Sequence, residues 1–560
     1  MSAFHLSFRP RLLDCLKTYK SADLFADFSS GITVALIALP LAMAFAIASG
    51  LKPEAGLFTA IVAGFIISAF GGSRVQIGGP AGAFIVIVYG IIAKYGIDGL
   101  LLSTMMAGVM LFAMGVLGLG ALIRFVPVAI IIGFTNGIAV LIALSQVKDV
   151  LGLQIEKMPA GFFAQLNTLG QHIGSVSWPT LALSLACLVV VFGWPRLAQK
   201  LGKPALQRLP GSVILLVLAT AAVYFLHLPV ETVGSKFGGI PSTLPQLKLP
   251  VVSWEVLQNL LAPAITIALL CAIESLLCAR VADGLIDERH DPNQELMAQG
   301  MANFAAPLFG GFCATGTIAR TVANVKMGAR SPVSGIIHAL TLLLIMLVAA
   351  PLAGYVPLAA LGAILLFVAF NMGEWHEFVR MRDFSSQYRL ILLSTFLLTV
   401  IVDLTVAVEV GLLLSCLFFI TRVAGLTRLE PIAETEIPGR PQLGNGIEAY
   451  RLSGSLFFGA VHKLEELLDP HRPVPKVIVL SLGGLLNIDS SGLEMLETTQ
   501  RTLKKRGCTL VLCEVGGQPL SLLRRGHFIE HLGAENVVPG VIAALARAEH
   551  LTGQALPHHQ

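Results

Sequence analysis

Glu274 lies in the middle of an apolar run, Ile265–Ala279. An acidic residue at the centre of a membrane helix costs on the order of 3 kcal/mol on insertion scales, which makes it a functional candidate by default. Burial disfavours its charged form and a nearby cation favours it. A carboxylate poised between those two can carry a proton. Cys271 and Cys278 stand three and four residues away, on the same helical face. The plainer alternative is a structural hydrogen bond or ion pair. Arg320 is a cation in a comparable setting, four residues beyond Gly316. It could add a full positive charge to an anion site or pair with Glu274. The two roles are compatible if the pairing changes during a working cycle.

Two glycine-rich breaks offer such a site. The first is Ile77-Gly78-Gly79-Pro80-Ala81-Gly82-Ala83-Phe84; the second runs from Gly310 to Arg320 (GGFCATGTIAR). A half-helix N-terminus leaves its first N–H groups unpaired and carries roughly half a positive charge. Two such ends facing each other near mid-membrane form an anion site from backbone alone. Non-helical backbone at that depth is tolerated only inside protein or beside a wet cavity. Paired interrupted helices in corresponding halves point to a transporter substrate site. Ordinary loops or glycine-packed helix contacts are the plainer reading. Thr315, Thr317 and Ser331 carry hydroxyls that could hold substrate or cap helices. Asn136, Asn303, His338, Asp403 and Glu409 read as structural. The sequence has no Walker loop, zinc-ligand spacing or nucleophile elbow. It therefore calls for no cofactor or metal and indicates no enzyme chemistry.

Membrane-spanning elements have to position these residues. The 560-residue chain is 55% hydrophobic and 13% charged, against roughly 25% charged in soluble domains. Its mean hydropathy is +0.79. A wholly soluble protein, a secreted disulfide scaffold and a disordered chain are excluded. The net charge of +4 is spread out, with no basic patch interleaved with aromatics, so nucleic acid is not an expected partner. The eight cysteines form no C-x-x-C pair and read as small apolar residues.

Runs of about 20 apolar residues mark bilayer-spanning helices. They fall at 31–49, 55–71, 100–119, 123–145, 178–195, 211–227, 259–279, 333–352, 355–371, 388–403 and 405–422. Shorter segments at 81–93, 294–309 and 316–328 bring the total to about fourteen. With the N-terminus inside, the basic clusters at 196–208, 280–289, 326–330, 380–389 and 422–428 all fall on the cytoplasmic side, as Lys/Arg asymmetry requires. The two breaks sit at segments three and ten. Those positions are equivalent if the chain is two sets of seven, and an odd offset inverts one set relative to the other. Beyond residue 430, strands (Ile447–Leu452, Val477–Leu482, Thr509–Glu514) alternate with amphipathic helices (Val461–Leu468, Gly492–Lys505). That pattern predicts a small α/β domain with a mostly parallel sheet. The layout is an N-terminal cytoplasmic lead-in (1–28), a transmembrane domain (29–425), a linker (426–445), the α/β domain (446–552) and a tail (553–560).

Several stretches carry a resemblance. They are Asp27–Gly50 (DFSSGITVALIALPLAMAFAIASG), Gly71–Phe84 (GGSRVQIGGPAGAF), Ala272–Gly284 (AIESLLCARVADG), Gly300–Asn303 (GMAN) and Gly310–Asn324 (GGFCATGTIARTVAN). In this order they resemble the sulfate-permease (SulP) family of anion transporters. Asn487–Leu493 (NIDSSGL) resembles the signature of a STAS domain. The resemblance implies a seven-plus-seven inverted repeat. A core would move past a gate, elevator-like, carrying an anion between the half-helix ends. It also implies a homodimer with its C-terminal domain in the cytoplasm. By position the family site maps onto Phe45, Ala81, Gly82, Ala83, Phe84, Glu274, Cys278, Thr315, Gly316 and Thr317, with Arg320 close by. Ala81 replaces a Thr common in relatives, so only its backbone N–H remains there. Ser490 and Ser491 occupy a position phosphorylated in some free-standing STAS proteins. Asp489 and Ser490 are also good N-caps for the 492–505 helix, and that structural reading is preferred.

Departures bear on the substrate. Many sulfate-type members have Gln after the first-segment proline; here Pro40 is followed by Leu41. Sodium-coupled bicarbonate members share the Leu-Pro-Leu-Ala pattern but carry Asp and Thr where this chain has Glu274 and Cys278. A thiol is a poor sodium ligand. Glu-Ser-Leu-Leu-Cys-Ala resembles C4-dicarboxylate members of the aerobic type. The expectation is a secondary active anion transporter of the inner membrane that imports succinate, fumarate or aspartate with protons. Glu274 would carry the proton, and the half-helix ends with Arg320 would hold the anion. The alternatives are a sodium-coupled bicarbonate or sulfate transporter, and a non-transporting sensor whose STAS domain signals. Expected partners are the anion, a coupling proton, membrane lipid, a second copy and a cytoplasmic protein at the STAS domain. Glu274→Gln should abolish proton-driven accumulation in proteoliposomes while anion exchange partly survives. Unchanged proton-driven uptake would remove Glu274 from the coupling role.

Overall fold

The computed structural model describes residues 8–121, 127–155, 158–159, 161–202, 210–241, 247, 254–402, 404–433, 445–469, 471 and 473–553. Asp403, Lys203, Arg208, most of the linker and residues 554–560 lie outside them. The chain forms two units, Met1–Leu412 and Leu413–Gln560.

The first unit is built from helices α1 (Arg11–Leu16), α2 (Ser21–Ala48), α3 (Pro53–Phe70), α4 (Ile85–Val116), α5 (Val128–Leu151), α6 (Phe162–His172), α7 (Trp178–Lys200), α8 (Gly211–Leu226), α9 (Leu261–Ile286), α10 (Pro292–Leu308), α11 (Ile318–Lys326), α12 (Val333–Ala353), α13 (Leu358–Met372), α14 (Ser386–Ile401) and the start of α15 (Leu404–Leu426). Every predicted membrane segment overlaps one of these helices. One difference is that segments 81–93 and 100–119 form a single bent helix, α4. No loop separates them, because Gly96 alone turns the chain with φ +74°, a conformation that costs glycine little. Among the described residues, nine helices are long and apolar enough to cross a membrane. Pro53 starts α3, where its missing N–H is no loss. Left-handed Gly152 ends α5, as glycine commonly does at such a position.

Packing follows the seven-segment offset. α12 packs on α2 as α4 packs on α9, α10 on α4 as α3 on α12, and α14 on α5 as α13 on α7. Each pair maps onto the other by a shift of seven segments. Helix α1 is tied down by Arg11, which pairs with Glu288 at 2.9 Å; Arg74 pairs with the same carboxylate. Partial burial alone would raise the Glu288 carboxyl; the two guanidinium groups outweigh it and hold it below its ordinary range.

The second unit contains a five-stranded sheet: β3 (Arg428–Pro431), β4 (Ile447–Leu456), β5 (Val477–Ile488), β6 (Thr509–Cys513) and β7 (Val537–Val538) in spatial order 3-4-5-6-7. The β3–β4 pair is antiparallel and the rest are parallel. Along β5, Ile478, Leu480 and Leu482 pack with Leu496 and Leu503 of α16 (Ser490–Lys505) and Leu523 of α17 (Gly517–Arg525). Val477 and Val479 face Ala544, Leu545 and Ala548 of α18 (Val541–Thr552). Strand alternation with both faces covered is what a parallel sheet demands.

Helices α4 and α10 meet glycine on glycine. A Cβ on Gly108 of α4 would sit 2.6 Å from Phe304 N, and one on Gly300 of α10 2.5 Å from Phe112 N. Small residues let helix backbones approach closely in a membrane. Gly300→Val should therefore cost about 3 kcal/mol or more and be read as a large loss of monodisperse, thermally stable protein in detergent. A melting temperature equal to the parent's would refute the close approach.

Candidate functional site

The two breaks meet. β1 (Gly78–Gly79) pairs antiparallel with β2 (Thr315–Gly316), Gly78 opposite Gly316 and Gly79 opposite Thr315. Immediately after β1 a single 3₁₀ turn, Gly82–Phe84, leads into α4, and after β2 Thr317 leads into α11. Both half-helices thus start at one crossing. Their first-turn N–H groups have no intrahelical acceptor, and the partial positive ends of both dipoles gather there.

Neighbouring helices hold the irregular backbone. Thr59 on α3 accepts Phe312 N at 2.8 Å, and Glu295 on α10 accepts Gly72 N at 3.0 Å and Ser73 N at 3.3 Å. Asn303 on α10 clasps Ala314 from both sides, donating to its oxygen and accepting from its nitrogen, each at 2.8 Å. Thr321 on α11 accepts Ile77 N at 3.0 Å and the Cys278 thiol at 3.2 Å. Asn324 donates to Val75 O at 2.9 Å. Buried polar backbone is satisfied this way or not at all.

The predicted residues of the first unit fall around this crossing. Phe45 on α2 is buried, and its ring lies 3.4 Å from where a Cβ on Gly82 would stand. Ala81, Gly82, Ala83 and Phe84 are buried at the start of the first half-helix. Gly316 lies in β2, where a Cβ would strike Gln76 and come within 3.2 Å of Cys278 Cβ. The hydroxyls of Thr315 and Thr317 are engaged: they donate to Cys271 O at 3.2 Å and Ile77 O at 2.9 Å. Thr317 is the N-cap residue of α11, but its hydroxyl makes no capping bond. Ser331 donates to the buried Asp27 carboxylate at 2.5 Å, and Asp27 also accepts Arg330 N, Ser331 N and the Tyr19 hydroxyl. That arrangement anchors the start of α12 and leaves Ser331 no part in the site.

Arg320 is 1% exposed. Its Nη2 donates to Pro80 O at 3.2 Å, across the crossing, while Nη1 has no hydrogen-bond partner among the described residues. A Cβ on Gly79 would lie 2.5 Å from Nη1, so the first break needs glycine there to admit the guanidinium. Glu274 on α9 is half-buried and has no hydrogen-bond or ion-pair partner among the described residues; Arg320 does not pair with it. Its helix is fixed on either side, by Cys271 Sγ donating to Ala314 O at 3.3 Å and by Gln76 Nε2 donating to Ser275 O at 3.2 Å. His338 on α12 is fully buried beside Gly64, and neither ring nitrogen has a partner. Ser490 and Ser491 belong to the second unit. They start α16 behind the Asp489 cap, which accepts Gly492 N at 2.8 Å.

Sequence reasoning missed Thr59, Gln76, Glu295, Thr321 and Asn324. Their common signal is a polar side chain inside an otherwise apolar segment, the same signal that exposed Glu274.

Comparison with known proteins places this geometry. The sulfate permease family matches residues 24–395 and the STAS domain residues 442–541. The putative sulfate transporter YvdB of Bacillus subtilis is 39% identical over 522 residues, covering 93% of this chain and 97% of that protein. The bicarbonate transporter BicA of a Picosynechococcus strain is 33% identical over 410 residues, 71% of each chain. The solved transmembrane domain of a cyanobacterial BicA has a TM-score of 0.62 at 32% identity, covering 70% of this chain and 98% of that one. SLC26A9 has a TM-score of 0.84 over 96% of this chain and 92% of that one, at 19% identity, a likeness of fold.

These relatives correct one expectation. They carry sulfate and bicarbonate names, and nothing supports a special closeness to C4-dicarboxylate members. Cys278, in the Glu-Ser-Leu-Leu-Cys-Ala stretch that suggested that closeness, turns its thiol to Thr321 Oγ1, and Cys271 turns its own to Ala314 O. They brace α9 against β2 and α11 and do not select a carbon skeleton. With a family match from residue 24 to residue 395 and a full-length relative at 39% identity, the chain belongs to the sulfate permease family of membrane transporters.

Proposed function

We propose that the chain is a secondary active transporter of a small oxyanion, bicarbonate or sulfate, which binds at the crossing of the two half-helices. The observation that carries this reading is the buried Arg320, aimed at the crossing with one guanidinium nitrogen unpaired. First-turn N–H groups and one guanidinium suit a compact anion. A C4-dicarboxylate carries two separated carboxylates, and among the described residues no second cationic side chain joins Arg320 among the crossing's contacts. The names of the relatives point the same way.

Coupling is assigned to Glu274. A carboxylate without a partner changes the local charge by one unit when it takes a proton, and nothing has to be broken first. Protonation removes a negative charge from the helix braced against the site and favours anion binding. Sodium remains the competing coupling ion. The protein works in the plasma membrane as a homodimer with the STAS domain in the cytoplasm, moving its core past its gate.

Uptake of radiolabelled bicarbonate and sulfate into proteoliposomes, with an imposed proton gradient and with or without sodium, tests this reading. Proton-driven, sodium-indifferent accumulation supports it. A sodium requirement transfers the coupling role away from Glu274, and strong uptake of succinate with neither oxyanion competing overturns the substrate assignment. Arg320→Ala should raise the KM for the transported anion roughly tenfold or more, the loss of one charge-assisted contact. A normal KM in that variant would make Arg320 a structural residue.

A further inference from the structure

A cavity of about 320 Å³ lies between α2 and α4 on one side and α5 and α14 on the other. The asymmetry of basic loops puts it on the outer side of the crossing. Its floor adjoins the anion site. Ile47 stands two residues beyond Phe45, Ile85 follows Phe84, and Leu141 precedes Ile142, whose Cδ1 is 3.3 Å from where a Cβ on Gly82 would stand.

The floor is apolar and the mouth is charged. Lys148, Asp149 and Lys236 line it. Lys236 is already neutralised, 3.1 Å from Glu231 and 3.9 Å from Asp149. Lys148, in the last turn of α5, has no hydrogen-bond or ion-pair partner among the described residues. Counted with Glu231, the charges at the mouth sum to zero, and among the described residues Lys148 is the one of the four without a close charged partner. A cation without a close counter-ion at the mouth of a low-dielectric cleft raises the local concentration of anions there.

We propose that this cavity is an outer capture site for the transported anion, with Lys148 as the residue that draws it in before it reaches Arg320. The inference rests on the transport reading above. The bland alternative is that Lys148 only complements the C-terminal dipole of α5. A dipole role acts on stability and has no sidedness. A capture role acts on one face.

The test uses the full chain in right-side-out and in inside-out vesicles, with initial rates of radiolabelled bicarbonate and sulfate transport for wild type, Lys148→Gln and Lys148→Arg. The expected result is a KM at the outer face raised roughly three- to tenfold in Lys148→Gln. The maximal rate and the KM at the cytoplasmic face should hold, and Lys148→Arg should restore the outer KM. Wild-type outer-face KM should rise with ionic strength, and more steeply than that of Lys148→Gln. An unchanged outer KM, or an equal rise at both faces, overturns the capture site while leaving the transport reading intact. Wild-type protein that moves neither anion from either face overturns the transport reading and the capture site together.

Discussion

Backbone that leaves its helix inside a membrane must find partners in protein, because lipid offers none. The first unit is organised around meeting that requirement twice at one place. β1 and β2 satisfy part of each other, and the remainder goes to Thr59, Glu295, Asn303, Thr321 and Asn324. The arrangement has a symmetry of its own. The second break hangs from α3, the helix that leads into the first break; the first hangs from α10, the helix that leads into the second. Each interruption is therefore stabilised in part by the opposite half of the chain, while Asn303 holds the second break from its own half. That explains why α3 and α10 carry polar residues in otherwise apolar stretches, and why α4 and α10 approach so closely at Gly108 and Gly300. The dipole ends and Arg320 are usable only because this scaffold is complete.

Much of this was legible in the sequence because hydropathy and glycine report directly on the membrane. The breaks at Gly78–Gly79 and Gly310–Gly311 announce themselves, as does a carboxylate at position 274. The equivalent placement of the breaks at segments three and ten follows from counting, and the packing of α12 on α2 and α4 on α9 repeats it in space. In the second unit, alternation along β5 and the Asp489 cap were readable for the same local reasons.

What was not legible was pairing across the chain. Glu295 with Gly72 and Asn324 with Val75 join residues more than 200 apart, and one sequence carries no record of which polar residue answers which break. The threonine hydroxyls show the same limit. From sequence, Thr315 and Thr317 offer donors to a substrate; in the fold both donors are used on backbone carbonyls. The dicarboxylate reading, which the relatives do not support, shows a related limit. The Glu-Ser-Leu-Leu-Cys-Ala stretch on α9 suggested a ligand class, whereas its thiol, Cys278, addresses Thr321.

The separation of Arg320 from Glu274 bears on how the two charges could cooperate. Had they formed an ion pair, binding an anion would require breaking it, and the desolvated partner left behind would oppose the step. Unpaired, they act on each other and on the ligand only through the field. If the two act as proposed, the charge they contribute to the site can be counted. A monovalent oxyanion, the Arg320 guanidinium and a protonated Glu274 sum to zero. A divalent oxyanion leaves one negative charge even with Glu274 protonated. Moving net charge through a low-dielectric interior is costly, so one proton at Glu274 balances a load such as bicarbonate and only partly balances sulfate. The same count separates the empty core: Arg320 with an ionised Glu274 is neutral, so the return step carries no net charge either. On the proposed roles, a single titrating carboxylate suffices to keep the pair with its monovalent anion neutral when loaded and neutral when empty, and Glu274 has no hydrogen-bond or ion-pair partner among the described residues.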